Sequence, residues 1–506
     1  MLAQVYAAAF SGINAVPVKV EVDVQMQGLP GWNMVGLLET AVKEAKDRVG
    51  SAVRNSGFSL PNRKTLINLS PADLKKSGAH YDLPIAVALL TAVGACRPST
   101  SARYLIAGEL ALTGKVLPVC GVLMMALAAK SNGIDGMIVP RANAWEAKLA
   151  GIDIVVPVES LAQAVAHLND GITPELPKER IAERSADLQQ DYGEVKGQPF
   201  AKRGMEIAAA GGHNIALKGP PGTGKTMLAE RLPSILPPLT REEALDVLKI
   251  QSLHGMLRDS ASLPTERPFR APHHSASYAG LIGGGHGTPR LGEISLAHHG
   301  VLFLDELAEF KKDVLEVLRQ PLESGEVNIV RAGMSVKYPA RFLLASAFNL
   351  CRCGFWSHPT RACTCSIAQI RHYRSKLSGP LLDRIDLHVE VGPPPHEALL
   401  ESFMEEKSEA MRARVLAARD RQTARNAKSV CNAILPTREI HRHCAMGRDE
   451  RSFLAQASKH HQLSARAVHR VIKVARTIAD LADSEKIQAE HIAEAMNFRP
   501  TLEDLG

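Results

Sequence analysis

The sequence predicts a multidomain α/β protein whose central part is built on a parallel β-sheet. Residues 215–217 form a short apolar run before a glycine-rich loop, and a helical pattern begins at Met227. A second apolar run, residues 301–304, ends in two adjacent carboxylates. Residues 393–395 are three prolines that separate this part from a remainder with helical patterns. Alternating strands and helices of this kind are typical of a parallel sheet covered by helices.

The glycine-rich loop carries the phosphate-binding pattern G-x-x-x-x-G-K-[ST]. Its residues are Gly219, Pro220, Pro221, Gly222, Thr223, Gly224, Lys225 and Thr226. In such a loop the backbone N–H groups converge on phosphates at the positive end of the following helix. Lys225 adds a point charge to the same phosphates, and the Thr226 hydroxyl is placed to ligate Mg²⁺. The chain is therefore predicted to bind ATP or GTP.

The two carboxylates are Asp305 and Glu306, at the end of an apolar strand. A strand buried on both faces delivers the residues that follow it to the carboxyl edge of the sheet, where phosphates bind. We expect Asp305 to hold Mg²⁺ through water and Glu306 to polarise the attacking water.

Length and composition are those of an ordinary globular protein. The length of 506 residues predicts two or three domains. The residues are 45% hydrophobic and 22% charged, as in ordinary globular proteins. The net charge of +7 permits contact with a polyanion without requiring it. We find no signal-peptide pattern, and the uncharged apolar runs at 83–96 and 116–129 are shorter than the ~20 residues of a membrane helix. We therefore expect a cytoplasmic protein without a membrane partner, whose 8 cysteines are thiols or metal ligands.

Four segments are predicted along the chain. An amino-terminal α+β domain covers residues 1–170, with strands at 18–24 and 63–69 and a helix over 35–53. The polar segment at 171–198 is predicted to be a linker, because it is rich in Pro, Glu, Lys, Gln and Asp. The nucleotide-binding core covers 199–392, and a helical lid covers 393–506. Within the core, residues 251–300 are rich in glycine and histidine, and we expect a mobile insertion that faces the pore of a ring.

Residues 108–118 form a predicted hairpin, and residues 119–130 a helix. This part of the chain resembles the proteolytic domain of Lon, which uses a Ser–Lys pair. His80 stands where the resemblance requires the serine, and Leu123 stands where it requires the lysine. A nucleophile needs a neighbouring base or a depressed pKa. The resemblance therefore implies a Lon-protease-like fold that has lost its peptidase and serves as a scaffold.

Three further polar residues complete a resemblance to AAA+ ATPases. Asn349 follows the apolar run 341–348, like the sensor 1 residue of that class. Arg384 resembles the arginine finger, which acts on the nucleotide of the neighbouring subunit, and Arg466 resembles sensor 2 of the lid. With the segment 292–297, these motifs are similar to the magnesium-chelatase-like branch. Nearly the whole chain resembles the bacterial ComM/YifB family, although Leu350 and Arg352 stand where the family usually has prolines.

The resemblance implies a function, and alternatives remain beside it. It implies a hexamer that hydrolyses ATP to move on DNA, drives branch migration in homologous recombination, and acts in natural transformation. A chelatase-type motor that remodels a protein partner is the second hypothesis. An ATP-dependent protease is the third, and the missing Ser–Lys pair disfavours it.

Four clustered cysteines suggest a metal site. They are Cys351, Cys353, Cys363 and Cys365. Tetrahedral Zn²⁺ takes four soft ligands, and two short thiol pairs would supply them. The spacing departs from the usual C-x₂-C pairs, so a reduced loop with incidental thiols remains the alternative.

Two basic features are candidate DNA contacts. Arg331 lies at the tip of a predicted hairpin. On a helix over 407–428, the basic residues fall within roughly 60° of arc at 100° per residue. They are Lys407, Arg414, Arg421, Arg425 and Lys428. Such a stripe can follow phosphates, but a solvated outer face explains it equally well.

Overall fold

The structure is a computed structural model. It describes residues 1–177 apart from 26 and 28, and residues 190–257, 263–284, 290–331, 334–356, 358–395, 405–426 and 431–499. Two large sheets and a carboxyl-terminal group of helices are present. The predicted α/β class is confirmed, and the five-stranded parallel sheet with its helices is consistent with an AAA+-like fold.

The amino-terminal domain is built on a seven-stranded mixed sheet with the strand order β3-β4-β2-β1-β5-β8-β9. Strands β1–β9 are Leu2–Ser11, Asn14–Val24, Gly31–Val35, Lys64–Ser70, Tyr104–Ile106, Glu109–Leu110, Val116–Leu117, Gly136–Pro140 and Ile154–Val158. Helices α1–α7 are Thr40–Lys43, Ala45–Asn55, Asp82–Ala92, Pro98–Ser101, Val122–Ser131, Ala144–Leu149 and Leu161–Asp170. β6 and β7 form the predicted hairpin as a separate two-stranded ladder.

Strand β2 follows the pattern that the sequence predicts, because its valines from Val18 to Val24 are buried and the charged residues between them are not. The helix predicted over 35–53 is wrong at its start. Residues Gly31–Val35 form an edge strand that pairs in parallel with β4, and the first helix begins at Thr40. Strand β1 was not predicted, because consecutive alanines at 7–9 hide the alternation of its two faces.

The central domain contains a five-stranded sheet in the order β11-β14-β17-β10-β18, and its strand pairs are parallel. Strands β10–β18 are Ile215–Lys218, Phe269–Arg270, Gly283–Gly284, Arg290–Leu291, Val301–Leu304, Glu326–Arg331, Met334–Pro339, Leu343–Phe348 and Leu387–Glu390. Helices α8–α17 are Pro199–Gly211, Lys225–Glu230, Leu232–Ile235, Arg241–His254, Tyr278–Ile282, Glu293–Leu296, Lys312–Val317, Arg319–Ser324, Ile367–Arg374 and Gly379–Leu382. β15 and β16 form the predicted hairpin, whose tip at 332–333 lies outside the described residues.

The segment 251–300 is not simply an insertion. Phe269–Arg270 pairs in parallel with β14 and forms the outer strand of the central sheet. A short helix and a two-stranded ladder follow before β14. Residues 258–262 and 285–289 lie outside the described residues, so the predicted mobility of this segment stays a prediction.

The predicted linker ends earlier than 198. Tyr192 is fully buried in the core of the central domain, and its hydroxyl donates a hydrogen bond of 2.8 Å to the carbonyl oxygen of Leu228. The Arg231 guanidinium donates to the carbonyl oxygen of Asp191 at 3.0 Å. The buried ring of Tyr192 anchors this stretch to the central domain. The polar composition of the stretch gave no indication of this contact. Residues 178–189 lie outside the described residues.

The carboxyl-terminal helices α18–α22 are Ser408–Arg425, Thr437–His443, Arg448–His460, Ala465–Leu481 and Ala489–Asn497. Their apolar residues, among them Val415, Val471 and Ile478, share one buried cluster with Ile207 and Leu217 of the central domain. This region therefore packs directly on the central domain. Among the described residues, no helix combines the length and apolar character that crossing a membrane requires.

Helix α11 of the central domain packs against helix α5 of the amino-terminal domain. Leu248 of α11 lies in one buried cluster with Leu123 and Val122 of α5. The backbone N–H of Gly121 donates to the carbonyl oxygen of Ser252 at 3.0 Å. The amino-terminal domain is therefore attached to the core by a packed interface as well as by the chain.

Candidate nucleotide-binding site

The phosphate loop connects β10 to α9 at the carboxyl edge of the central sheet. Its first residue must be glycine, because a Cβ at Gly219 would lie 2.2 Å from the carbonyl oxygen of Val391. Gly224 has a φ of 87°, a left-handed conformation that favours glycine, at the start of the helix. The Thr223 hydroxyl donates to the carbonyl oxygen of Pro220 at 3.0 Å and closes the loop. The loop is therefore folded in the arc that the motif predicts.

Lys225 is buried at the centre of this loop. Its ammonium group donates to the carbonyl oxygens of Gly219 at 2.8 Å and Pro220 at 2.6 Å. It also donates to Asn349 Oδ1 at 3.2 Å. Burial lowers the pKa of Lys225 to about 8, and the charge of Asp305 opposes that shift. A phosphate at this position would restore the positive charge that burial disfavours.

Thr226 and Asp305 meet at the same edge. The Thr226 hydroxyl donates to Asp305 Oδ2 at 2.8 Å, and the other carboxylate oxygen of Asp305 accepts the N–H of Glu306, also at 2.8 Å. A hydroxyl and a carboxylate are hard oxygen donors of the kind that Mg²⁺ prefers. The residues therefore fit a magnesium ion that is held between the two motifs.

Glu306 adopts a left-handed backbone conformation with a φ of 52°. Its carboxylate Oε2 lies 3.1 Å from Nδ1 of His274, a residue that follows β11. His274 is not among the site residues that the sequence predicts. Its position shortly after an outer strand of the sheet could have indicated a site residue. That strand, β11, is short and was not predicted from the sequence. The predicted general base therefore has a ring nitrogen as its neighbour in this structure.

Arg384 lies at the opposite edge of the central sheet. It precedes β18, and the N–H groups of Asp386 and Leu387 each donate to the carbonyl oxygen of Asn214, just before β10, at 3.0 Å. The Arg384 side chain is paired with Glu323 and is only 10% exposed. The structure thus separates Arg384 from the phosphate loop of its own chain by the length of the sheet strands.

Arg466 is exposed in the first turn of α21, one helical turn before Arg470. Arg470 Nε lies 3.7 Å from Asp386 Oδ1. His213 also joins the two elements, since its ring nitrogens lie 3.2 Å from Asp386 Oδ2 and 2.8 Å from the Thr477 hydroxyl. Helix α21 is therefore fixed to the edge that carries Arg384, away from the edge that carries the phosphate loop.

The four cysteines converge after Asn349. The Cys351 and Cys353 sulfurs are 3.4 Å apart, those of Cys351 and Cys363 are 3.6 Å apart, and those of Cys353 and Cys363 are 3.4 Å apart. All four sulfurs, including that of Cys365, lie within 4.8 Å of one another. Sulfurs at ~2.3 Å from a tetrahedral zinc ion are ~3.8 Å apart. Backbone N–H donors, first that of Phe355, lower the pKa of the Cys353 thiol to about 5. The cluster therefore has the chemistry and spacing of a metal site.

Three arginines of the basic stripe on α18 are engaged in ion pairs within the chain. Arg414 pairs with Glu406 at 2.6 Å and with Glu206. Arg421 Nη2 lies 2.6 Å from Asp483 Oδ1, and the same guanidinium donates to the Asp480 carbonyl oxygen. Arg425 makes two hydrogen bonds with the Asp480 carboxylate, at 2.6 and 2.8 Å. These three arginines are thus engaged in contacts within the chain, and DNA binding by them stays a prediction.

The remaining DNA candidates are not described in full. Arg331 lies at the end of β15, opposite Met334, and its side chain lies outside the described residues. Lys428 also lies outside them. The predictions for these two residues therefore stay predictions.

The two positions aligned with the Lon pair are buried. His80 Nε2 lies 2.9 Å from the carbonyl oxygen of Ala8, and burial lowers the pKa of His80 to about 4. Leu123 lies in the interface with α11, and its N–H donates to Glu146 Oε2 at 3.3 Å. Neither side chain can supply the nucleophile or the cation of a Ser–Lys pair.

Comparison with known proteins assigns a family to the chain. A family model described as magnesium chelatase, subunit ChlI, matches residues 191–399. Models for subunit ChlI of Mg-chelatase and for the ChlI C-terminal part match residues 20–143 and 405–499. The three matches together cover most of the chain.

Relatives match the chain over nearly its full length. The YifB protein of Salmonella typhimurium is 45% identical over 500 residues, which cover 98% of this chain and 97% of that protein. The competence protein ComM of Haemophilus influenzae is 42% identical over 505 residues, with the same two shares. A Mycobacterium tuberculosis protein is 40% identical over 510 residues, which cover 99% of each chain. The chain therefore belongs to the ComM/YifB family of magnesium-chelatase-like proteins.

Proposed function

We propose that the chain is a ring-forming, ATP-dependent DNA motor that acts in homologous recombination and natural transformation in the cytoplasm. One observation carries this proposal. The phosphate loop and the acidic pair occupy one edge of the central sheet, whereas Arg384 occupies the opposite edge. A site divided in this way is complete only when a second copy of the chain supplies the arginine. The name of the competence protein ComM among the relatives supports the role in transformation.

ATP hydrolysis is assigned to residues at the loop edge. The loop N–H groups and Lys225 hold the phosphates, and Asn349 positions the γ-phosphate or the attacking water. Thr226 and Asp305 hold Mg²⁺, which neutralises charge on the phosphate oxygens when it is bound. Glu306 polarises the attacking water, which requires its carboxylate to leave His274. These roles match the donors and acceptors that the loop edge presents.

The ring is assigned to the opposite edge. Arg384 and Arg466 are proposed to act together on the nucleotide of the neighbouring subunit, because helix α21 is fixed to the Arg384 segment through Asp386. Release of Arg384 from Glu323 would accompany assembly. Six copies are proposed, as in the rings that the AAA+ resemblance implies.

DNA contact is proposed for Arg331, which ends strand β15 of the β15–β16 hairpin. The net charge of +7 is consistent with a polyanionic partner.

Structural Zn²⁺ is proposed for the four cysteines, on the basis of their sulfur spacing. The amino-terminal domain is proposed to be a Lon-like scaffold without peptidase activity.

A second function is favoured by a separate observation. All three family models carry the name of the magnesium chelatase subunit ChlI. The alternative is therefore a chelatase-type motor that remodels a protein partner. Such a motor would hydrolyse ATP without any response to DNA.

The test uses forked and four-way DNA with ATP. Wild-type protein should displace strands, whereas Lys225→Ala and Glu306→Gln should not. Stimulation of ATPase activity by DNA would support the DNA motor. Normal ATPase activity without stimulation and without strand displacement would overturn it in favour of the protein-remodelling alternative.

A further inference from the structure

The four-cysteine segment begins directly beside the nucleotide site. Asn349 directly follows β17 and accepts the hydrogen bond from Lys225 at 3.2 Å. Cys351, two residues later, is fully buried. Arg374 of helix α16 donates to the carbonyl oxygen of Leu350 at 3.2 Å. The sheet therefore fixes Asn349 on its amino-terminal side, and the cysteine segment fixes it on its carboxyl-terminal side.

The same segment returns to touch the phosphate loop. Gly354 has a φ of 84°, and a Cβ built on it would lie 2.8 Å from Cδ and 3.2 Å from Cγ of Pro221. The same Cβ would lie 3.8 Å from Nδ2 of Asn349. The backbone at Gly354 thus packs between the ring of Pro221 and the side chain of Asn349. Glycine is required there both by the backbone conformation and by the space available.

Short hydrogen-bonded contacts hold this turn to the cysteines. The N–H of Gly354 donates to the carbonyl oxygen of Cys351 at 3.0 Å, and the N–H of Trp356 donates to the Cys351 sulfur at 3.3 Å. N–H donors to sulfur are typical of thiolates that bind a metal. A cation at the centre of the four sulfurs would fix residues 351–354 to residues 363–365. The position of Gly354 against Pro221 then depends on that cation.

We propose that the four-cysteine segment braces the nucleotide site. A thiolate-bound Zn²⁺ holds Gly354 against Pro221 and holds Asn349 beside Lys225, so that metal occupancy sets the affinity for nucleotide. This inference rests on the nucleotide-binding part of the proposed function. It adds a dependence on a second metal, distinct from the Mg²⁺ that accompanies ATP.

The first test measures the affinity for a fluorescent ATP analogue in excess Mg²⁺, before and after treatment with a zinc-selective chelator. We expect about tenfold weaker binding after zinc removal, and recovery when one equivalent of Zn²⁺ is added back. Excess Mg²⁺ excludes loss of the nucleotide-bound ion as the cause. Unchanged affinity in folded, zinc-depleted protein would overturn the inference, as would tight binding by wild-type protein purified without metal.

The second test does not depend on metal removal. Gly354→Ala should keep its zinc but bind the analogue about tenfold more weakly, because the added methyl group pushes against Pro221. Gly57→Ala is the matched control, since Gly57 has a φ of 83° and no neighbouring atom within 4 Å of the added Cβ. Backbone strain is thus the same in both variants, and only one of them touches the loop. If both variants bound the analogue with wild-type affinity, the proposal that the four-cysteine segment supports the nucleotide site would be refuted.

Both measurements are made without DNA. A wild-type protein that binds and hydrolyses ATP but fails to move DNA would overturn the proposed function and leave this inference standing. Unchanged nucleotide affinity after zinc removal, in a protein that moves DNA, would overturn this inference and leave the proposed function standing.

Discussion

The Thr226 hydroxyl donates a hydrogen bond to Asp305 across the carboxyl edge of the central sheet, at 2.8 Å. Their strands are not adjacent, because β17 lies between β10 and β14. The contact therefore depends on the order of three strands, with Asn349 delivered by the middle one. This arrangement brings the Thr226–Asp305 pair, Glu306 and Asn349 to one place, and it makes the first prediction specific.

Glu306→Gln should reduce the ATPase rate by about 100-fold or more while leaving ATP affinity within about twofold of wild type, because a positioned general base contributes rate and not ground-state binding. The measurement compares turnover with equilibrium binding of ATP. Glu309→Gln is the control, since Glu309 is an exposed neighbour that pairs with Lys376. Wild-type turnover in Glu306→Gln would contradict the assignment.

ATP affinity should fall as the pH rises above about 8. Burial lowers the pKa of Lys225 to about 8 in the free protein, and phosphates bind its charged form. Above that pH, binding must therefore take up a proton, and the affinity drops by up to about tenfold per pH unit. Below it, this group contributes no pH dependence. Measuring the equilibrium affinity for ATP between about pH 6.5 and about 9.5, a range that brackets the pKa, tests this prediction.

Lys225→Arg provides the comparison for that experiment. Its guanidinium stays charged across the range, so its weaker binding should lack the decline above pH 8. Parallel curves for the two proteins would show that another group causes the decline.

Arg384→Ala and Lys225→Ala should each abolish ATP hydrolysis, but a mixture of the two should recover activity. Arg384→Ala subunits keep an intact phosphate loop, and Lys225→Ala subunits keep an intact arginine. Random mixing in a closed ring pairs the two intact halves in roughly a quarter of the interfaces. An equimolar mixture should therefore approach about a quarter of wild-type turnover. No recovery in rings that are shown to exchange subunits would place Arg384 outside the neighbouring site.

Arg425→Ala should destabilise the fold by about 2–3 kcal/mol, because it leaves the Asp480 carboxylate, which is 1% exposed, with fewer partners. Arg476 and Asn432 still contact that carboxylate, which limits the loss. Urea unfolding measures the effect. Arg438→Ala, with a side chain 85% exposed, should change stability by less than about 0.5 kcal/mol. Wild-type stability with weakened DNA binding would instead identify Arg425 as a DNA contact.

Glu146→Gln should remove part of the pH dependence of stability. Burial raises the pKa of Glu146 to about 7, while Ser252, Asn143 and the N–H of Leu123 oppose the shift through hydrogen bonds. The unfolded chain loses this proton near pH 4.5 and the folded chain near 7. The stability contribution is therefore complete below the lower value and falls by about 3 kcal/mol as the pH rises through this window.

Unfolding midpoints at pH 5 and pH 8 report that change. The difference between the two midpoints should be smaller in Glu146→Gln than in the wild type. Glu159→Gln is a suitable control, because Glu159 belongs to the same domain and its side chain is 59% exposed. An unchanged difference in Glu146→Gln would place the titration elsewhere.

The sequence indicated the phosphate loop and the acidic pair directly, because their determinants are short. The loop from Gly219 to Thr226 and the pair Asp305–Glu306 each lie within a few residues, and the apolar strands before them are visible as runs. The convergence of the four cysteines was also foreseen as one of two alternatives. Parallel strand order then brings these separate motifs together, as the general rule for such sheets predicts.

Features that depend on distant partners were not predictable in the same way. The arginines of α18 read as a stripe because their spacing is local, but Glu206 and Asp480, which neutralise Arg414 and Arg425, lie far away in the chain. Tyr192 looked like part of a polar linker, because nothing near it in sequence indicates the cavity that it fills. His274 was missed because β11 has only 2 residues, too few for a periodic pattern.

The packing of α11 on α5 has a mechanical consequence. Ser252 donates to the buried Glu146 at 2.6 Å, and Leu248 fills the same apolar interface. Any tilt of α11 during a catalytic cycle would therefore displace the whole amino-terminal domain as a rigid lever. In the proposed ring, a small rotation of α11 would therefore become a larger displacement in the part of the amino-terminal domain that lies farthest from α11.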